Sequence, residues 1–378
     1  MQNIAQPWLV LQLTHSALLV GLVLALQSLP VLVLAPFGGV VADRFSKRRV
    51  LQLTQAAFMV PALFLFVVTW THTATYWMVV LAALAWGGVQ VVDVPTRQSF
   101  AIEMVGREDL MNAIALNSSV WTAAAVVGPS VAGVLIALVG VAPCFLLNAV
   151  SYLAVIAALA VMRNLPSLIR EANPQPLQER IAQGARYVVR DPLVGTMLLV
   201  VAVFSLFAMN RLTLIPLFAD QVLDRGVAGF GFLMGAFGLG SLSGALTLAF
   251  AAAQASGRRQ FWVGLGWTLA LLGFSASREF VLSLLLLYVA GTCQMWFLAT
   301  ANSRMQAATP DGLRGRVMAF YAQAMMGMSP LGASQAGALA SLFGAPLAMA
   351  VGAGLAGLLI VGVRLFRPAV FTLEPAEL

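Results

Sequence analysis

The feature that most limits what this chain can become is its series of apolar runs. Uncharged or nearly uncharged stretches follow one another almost end to end. Runs of about 18 residues or more with this composition cross a bilayer as helices. The composition agrees: 61% of the 378 residues are hydrophobic and 9% are charged, with a mean hydropathy of +0.92. A soluble domain carries about 25% charged residues, so this chain has too few polar side chains to coat a globule. A membrane β-barrel would show short alternating segments, and none is present. The expected class is an all-α polytopic membrane protein.

The runs predict twelve spans. Ile4–Leu13 is too short to cross about 30 Å of hydrocarbon and is read as the second half of a helix whose start is missing. The others are expected at about 17–41, 50–70, 76–95, 113–139, 143–162, 193–218, 228–252, 261–277, 280–300, 316–342 and 346–366. The longest polar segment, 163–192, holds eight charged residues and four prolines, and Leu177–Val189 reads as an amphipathic interfacial helix. It divides the chain into an N-terminal half (1–162), a cytoplasmic linker (163–192), a C-terminal half (193–366) and a polar cytoplasmic tail (367–378). In the eighth span Gly231 and Gly235, and again Gly240 and Gly244, sit four residues apart, a spacing that permits close helix approach.

The net charge of +7 reflects membrane topology rather than nucleic-acid binding, because the bases lie in short loops between spans. With the 39–49 segment placed in the cytoplasm, 18 of 21 Lys and Arg residues fall on that side, leaving Arg211, Arg225 and Arg278 on the other. This puts both termini inside the cell and the chain in the cell inner membrane. Cys144 and Cys293 lie within spans and read as core residues, with no disulfide, metal site or cofactor implied. No signal peptide is apparent. A monomer is expected.

Between the second and third spans stands Gly39-Val-Val-Ala-Asp43-Arg44-Phe-Ser46-Lys47-Arg48-Arg49, where four of five ionisable residues are basic. The fifth span carries Gly128-Pro129 with Gly133, and Glu108-Asp109-Leu110 precedes Asn112-Ala-Ile-Ala-Leu-Asn117-Ser118. Leu313-Arg314-Gly-Arg316-Val317-Met318 precedes the eleventh span, and basic loops follow the fourth and tenth spans, through Thr96-Arg97-Gln98 and Ser303-Arg304. On these motifs the whole chain resembles the major facilitator superfamily, in its enterobactin-exporter-like and macrolide-efflux-like branch. Ser46 departs from the family's loop motif, which has a second glycine there. The resemblance implies two six-helix bundles and secondary transport by alternating access.

The motif residues suit a conformational latch. Asp43 can rest on the positive N-terminus of another helix, and the resemblance points to the eleventh span near Arg316. Arg44, Arg48 and Arg49 also anchor topology. Asp93 and Arg97, at helical i,i+4 spacing, read either as part of the latch or as a simple surface pair. Glu103 and Arg107 repeat that spacing and read as a surface pair. Gly128-Pro129 kinks the fifth span, and with Gly133 it is read as a hinge packed on the eighth. Candidates for the substrate cavity are Asn3, Gln6, Trp121, Asn148, Asn210, Arg211, Gln294, Gln323 and Met325, each with helix packing as the competing role. Arg211 either attracts an anionic substrate group or snorkels to the outer interface.

No nucleotide-binding loop occurs, so the expected energy source is a proton gradient, although acids occur only near span ends. The expected substrate is a siderophore, drug or similar partly apolar small molecule, moved outward. Import, lipid flipping, or a non-transporting receptor or assembly role on the same fold are the alternatives. The sequence holds no H-E-x-x-H or G-x-S-x-G, and no enzyme is expected.

Overall fold

The computed structural model describes residues 2–105, 132, 135–136, 138–162, 177–250 and 256–372, with the side chains of Asn3, 35–44 and several other positions outside the description. Among the described residues the structure is helical. The helices are α1 (Gln2–Thr14), α2 (Ala17–Arg44), α3 (Lys47–Trp70), α4 (Tyr76–Val105), α5 (Ala142–Val161), α6 (Leu177–Arg190), α7 (Pro192–Phe207), α8 (Arg211–Leu217), α9 (Gly226–Phe250), α10 (Gly257–Ala276), α11 (Phe280–Ala307), α12 (Asp311–Met326), α13 (Ser329–Phe343), α14 (Ala345–Phe366) and α15 (Ala369–Thr372). A π-helical turn, Phe218–Val222, extends α8. Eight helical stretches among the described residues are long and apolar enough to cross a membrane. The chain is therefore a multi-pass helical membrane protein.

Several boundaries differ from expectation. Helix α2 runs on to Arg44 and α3 starts at Lys47, so the basic motif is mostly helical with a break at Phe45-Ser46. Helices α4 and α11 continue past the expected ends to Val105 and Ala307. Arg97 and Arg304 are thus helical residues rather than loop residues: intrahelical hydrogen bonding persists where hydropathy falls. The seventh span is broken between Phe207 and Arg211, and the eleventh between Met326 and Ser329. The tail is not wholly polar, because Val370 and Phe371 of α15 are buried.

The helices pack in two groups. In the first, α2 lies along α4, and α3 lies along α5 and α4. In the second, α9 and α10 flank α11, α10 packs on α14, and α7 packs on α12 and α14. Large aromatics fill the second group: Phe204 stacks on Phe297 at 4.5 Å and meets Trp267 at 5.1 Å, all three fully buried. Gly240 of α9 sits against the Tyr288 carbonyl of α11, and Gly291 of α11 against that of Phe237, which brings the two backbones together. Gly240 and Gly244 thus face α11.

Among the described residues the principal contacts between the groups run from α2 to α13, and from α1 and α2 to α8. On α2 they lie near its start: Gly21 abuts the Ala333 carbonyl, and a Cβ on Gly337 would lie 2.8 Å from the Ala17 carbonyl. Trp8 of α1 stacks on Phe230 of α9 at 6.0 Å. All of these positions lie toward the end of the bundle that carries the His15 and His72 turns. The opposite end carries Arg48, Arg97, Arg190, Arg316 and Arg364. Among the described residues the groups are therefore joined toward the His72 end.

Candidate functional site

Two arrangements hold the residues singled out from the sequence. The first is at the basic end. The Asp93 carboxylate of α4 is buried. Its Oδ1 accepts from Thr54 Oγ1 at 2.7 Å and from Gln55 Nε2 at 2.8 Å, both on α3. Its Oδ2 accepts from Arg97 Nε at 3.1 Å and Nη2 at 3.0 Å, one turn along α4. Three donor groups thus satisfy a carboxylate that desolvation would otherwise penalise. Arg97 is about half exposed, so the buried bonds to α3 outweigh the ion pair.

Arg48, at the start of α3, reaches the end of α5. Its Nε donates to the Leu159 carbonyl at 2.6 Å and its Nη2 to that of Ala160 at 2.7 Å. A cation there satisfies orphan carbonyls and complements the negative helix end. Arg49 is exposed. Arg316 donates to Gln183 of the amphipathic helix α6, whose Gly184 packs on the Arg316 and Phe320 side chains. Gly39, Asp43 and Arg44 fall on α2 just before the break at Phe45-Ser46, with the Asp43 and Arg44 side chains outside the described residues, as are those of Glu103 and Arg107.

The second arrangement surrounds the broken seventh span. Asn210 is buried and donates from Nδ2 to the Leu206 carbonyl at 2.8 Å, capping the end of α7. Gly332 of α13 packs against it, and Ser205 Oγ donates to the Met325 carbonyl at 2.6 Å. The two interrupted helices therefore lie side by side: Ser205 of the seventh span helps satisfy the eleventh span's backbone at its break, and Asn210 caps its own helix. The Arg211 guanidinium follows at the start of α8, over the Phe237 ring of α9 at 5.1 Å. Among the described residues no carboxylate lies within salt-bridge distance of it.

The remaining candidates scatter. Gln6 donates to Gln27 Oε1 at 3.4 Å across α1 and α2. Asn148 donates to Gln2 Oε1 at 2.7 Å and reaches Tyr152 Oη at 3.3 Å, within the first group. Gln294 is buried, Gln323 is exposed on α12, and Met325 is partly buried against the core. Trp121, Gly128, Pro129, Gly133 and the Asn3 side chain lie outside the described residues. A cavity of about 500 Å³ at the His72 end is lined by Leu9, Thr69, Trp70, His72 and Val141 among others, and by none of the candidates. Sequence reasoning missed Thr54, Gln55, Gln183 and Gln260. The adjacent polar pair at 54–55, inside an apolar run, was the available signal. Gln260 holds the fully buried Arg304, accepting from its Nη1 at 2.7 Å.

Comparison with known proteins decides the family. The model described as transmembrane secretion effector matches residues 1–377. The chain belongs to this family of major facilitator transporters. Relatives of this transporter include the enterobactin exporter EntS of Shigella boydii serotype 4 (strain Sb227), 29% identical over 96% of this chain and 86% of the relative. EntS of Escherichia coli O81 (strain ED1a) is 28% identical over the same shares. The fold is that of the nucleoside transporter NupG, with a TM-score of 0.75 at 13% identity over 98% of this chain and 95% of that one. A D-xylose-proton symporter also gives 0.75, at 12% identity over 100% and 95%. The protein is thus a transporter of the enterobactin-exporter-like branch and not an enzyme, and its partner is a small-molecule substrate.

Proposed function

We propose that this transporter is a secondary active, proton-driven exporter of a siderophore or similar partly apolar small molecule, working by alternating access. The supporting observation is the seam among the described residues: there the two helix groups meet chiefly toward the His72 end, through α2 against α13. Such a molecule is closed on one side and can rock about its middle. Export as the direction rests on the named activity of the EntS relatives.

On this reading twelve spans form two six-helix bundles, 1–162 and 193–366, joined by the 163–192 linker. By the distribution of basic residues the Arg48 end is cytoplasmic, with both termini inside, and the chain works as a monomer in the cell inner membrane. Asp43, Arg44 and Gly39, with Asp93, Arg97, Arg48 and Arg49, form a latch to the start of α12 near Arg316, which engages when the cytoplasmic side closes. Gly128, Pro129 and Gly133 form the hinge. In this structure Arg316 also donates to Gln183 of α6.

The test is export from a strain lacking the gene, complemented by wild type or by Asp43→Asn. Wild type should restore secretion of a siderophore or resistance to a drug, and a protonophore should abolish it. Asp43→Asn should insert normally and lose most of that export. Normal export by the variant would remove the latch; export unaffected by the protonophore would remove proton coupling.

A further inference from the structure

We infer that Arg211, held over Phe237, forms a recognition site for an organic anion, a choice of substrate class that rests on the transporter reading above. The argument begins with depth. Arg211 stands eleven residues before Val222, where the helical segment ends at the His72 end, and Phe237 stands eleven residues after Gly226, where α9 begins there. At 1.5 Å per residue both lie about 16 Å from that end, inside the hydrocarbon of a bilayer whose apolar core is about 30 Å thick. The guanidinium stays level with its own helix position, over the Phe237 ring. It does not reach for the interface.

The second step is charge. A guanidinium within the hydrocarbon costs up to about 2.5–3.5 kcal/mol on insertion scales. One ring face returns about 0.5–2 kcal/mol. No carboxylate among the described residues supplies the difference, and the five N–H donors of the group form a fork suited to a carboxylate or similar anion.

The third step is position. Phe230 and Phe237 are seven residues apart and share one face of α9. At Phe230 that face meets Trp8 of α1, in the other helix group. Two turns further from the closed end the same face carries Arg211. The cation therefore stands at the junction between the groups, directly inside their seal, where a translocated molecule must pass. Trp8 Nε1, buried and without a hydrogen-bond partner, adds an unused donor on the facing helix.

The probe is a set of naphthalenes that differ only in charge: 1-naphthoate, the neutral 1-naphthamide and the cationic 1-naphthylmethylammonium. Binding to the full chain in nanodiscs is measured by equilibrium dialysis, with no proton gradient. Wild type should prefer naphthoate over naphthamide by about tenfold or more, the scale of one charge-assisted contact, and should bind the cation least. Arg211→Gln should level the three, while Arg211→Lys should keep a reduced preference for the anion. Absence of anion preference in wild type, absence of naphthoate binding, or an unchanged preference in a folded Arg211→Gln would overturn the inference. Because the assay is independent of transport, anion preference without proton-driven export would contradict the function proposed above and leave this site standing.

Discussion

Asp93 shows how a single residue can look like a surface charge and behave as a core one. Its i,i+4 partner Arg97 was legible in the sequence, and the pair forms. The α3 donors were not, because a period within one helix says nothing about which neighbour it faces. The two substitutions Asp93→Asn and Asp93→Ala separate these contributions. The amide keeps an oxygen for Thr54 and Gln55 and loses Arg97, an exposed partner, so it should cost about 1 kcal/mol or less. Alanine leaves Gln55 Nε2 buried and unpaired, whereas Thr54 can turn to the Leu51 carbonyl, already at 3.0 Å. That should cost about 2 kcal/mol, read as a clearly larger fall in the melting temperature of the detergent-purified protein. Equal losses would mean that the Arg97 pair carries the stability. Arg211 was legible as an intramembrane cation, but its position over Phe237 depends on the break at 208–210, which hydropathy does not mark.

At the scale of elements, the apolar runs located the helices well and the interruptions poorly. Breaks at Ala208–Asn210 and Gly327–Met328 occur in segments that remain apolar. They persist because Asn210, Ser205 and the facing glycine satisfy or accommodate the backbone, a tertiary effect. The helix repeat is also inexact. Asp93 and Arg97 in α4 correspond in spacing to Thr300 and Arg304 in α11, so the second copy has no acid. Arg304 donates from Nη2 to the Val370 carbonyl at 2.6 Å instead, and Phe371 packs on Phe261 at 5.7 Å. The tail helix thus takes over part of the missing carboxylate's role. Removing the chain after Arg367 should lower the melting temperature, by the equivalent of about 1.5–3 kcal/mol for a hydrogen bond to a charged group; an unchanged melt would show that α15 is dispensable.

The amphipathic helix α6 carries a pH signature. Tyr187 Oη lies 3.2 Å from Asp191 Oδ2 and 3.1 Å from the Ala308 carbonyl. Burial, then the Asp191 charge and its hydrogen bond, push the phenol above its ordinary value. A raised folded value means that the contribution is complete below the unfolded value of about 10 and is lost as pH climbs through the folded one. The Tyr187 contribution should therefore stay constant to about pH 10 and then be lost, so that Tyr187→Phe should reduce the alkaline fall in melting temperature. A variant that falls in parallel with wild type would assign the step to another group.

For the whole molecule, the class, the helix order and the basic asymmetry were legible because bilayer solvation acts on composition directly. The conformation was not, because hydropathy and charge do not say at which end two helix groups meet. It is set by the seam at Gly21, Ala333 and Gly337, where backbone meets backbone. A side chain at Gly21 has no room against the Ala333 carbonyl, so Gly21→Val should exclude closure at the His72 end. The most direct measurement is the pair of distances across both ends, by pulsed electron spin resonance, on a background with Cys144 and Cys293 replaced by serine. Labels at Thr73 and Phe343 report the His72 end, and labels at Phe45 and Ala307 the basic end; all four positions are exposed. In Gly21→Val the first distance should lengthen and the second shorten. Two distances that stay fixed, or that move in the same direction, would contradict alternating closure about the α2–α13 seam.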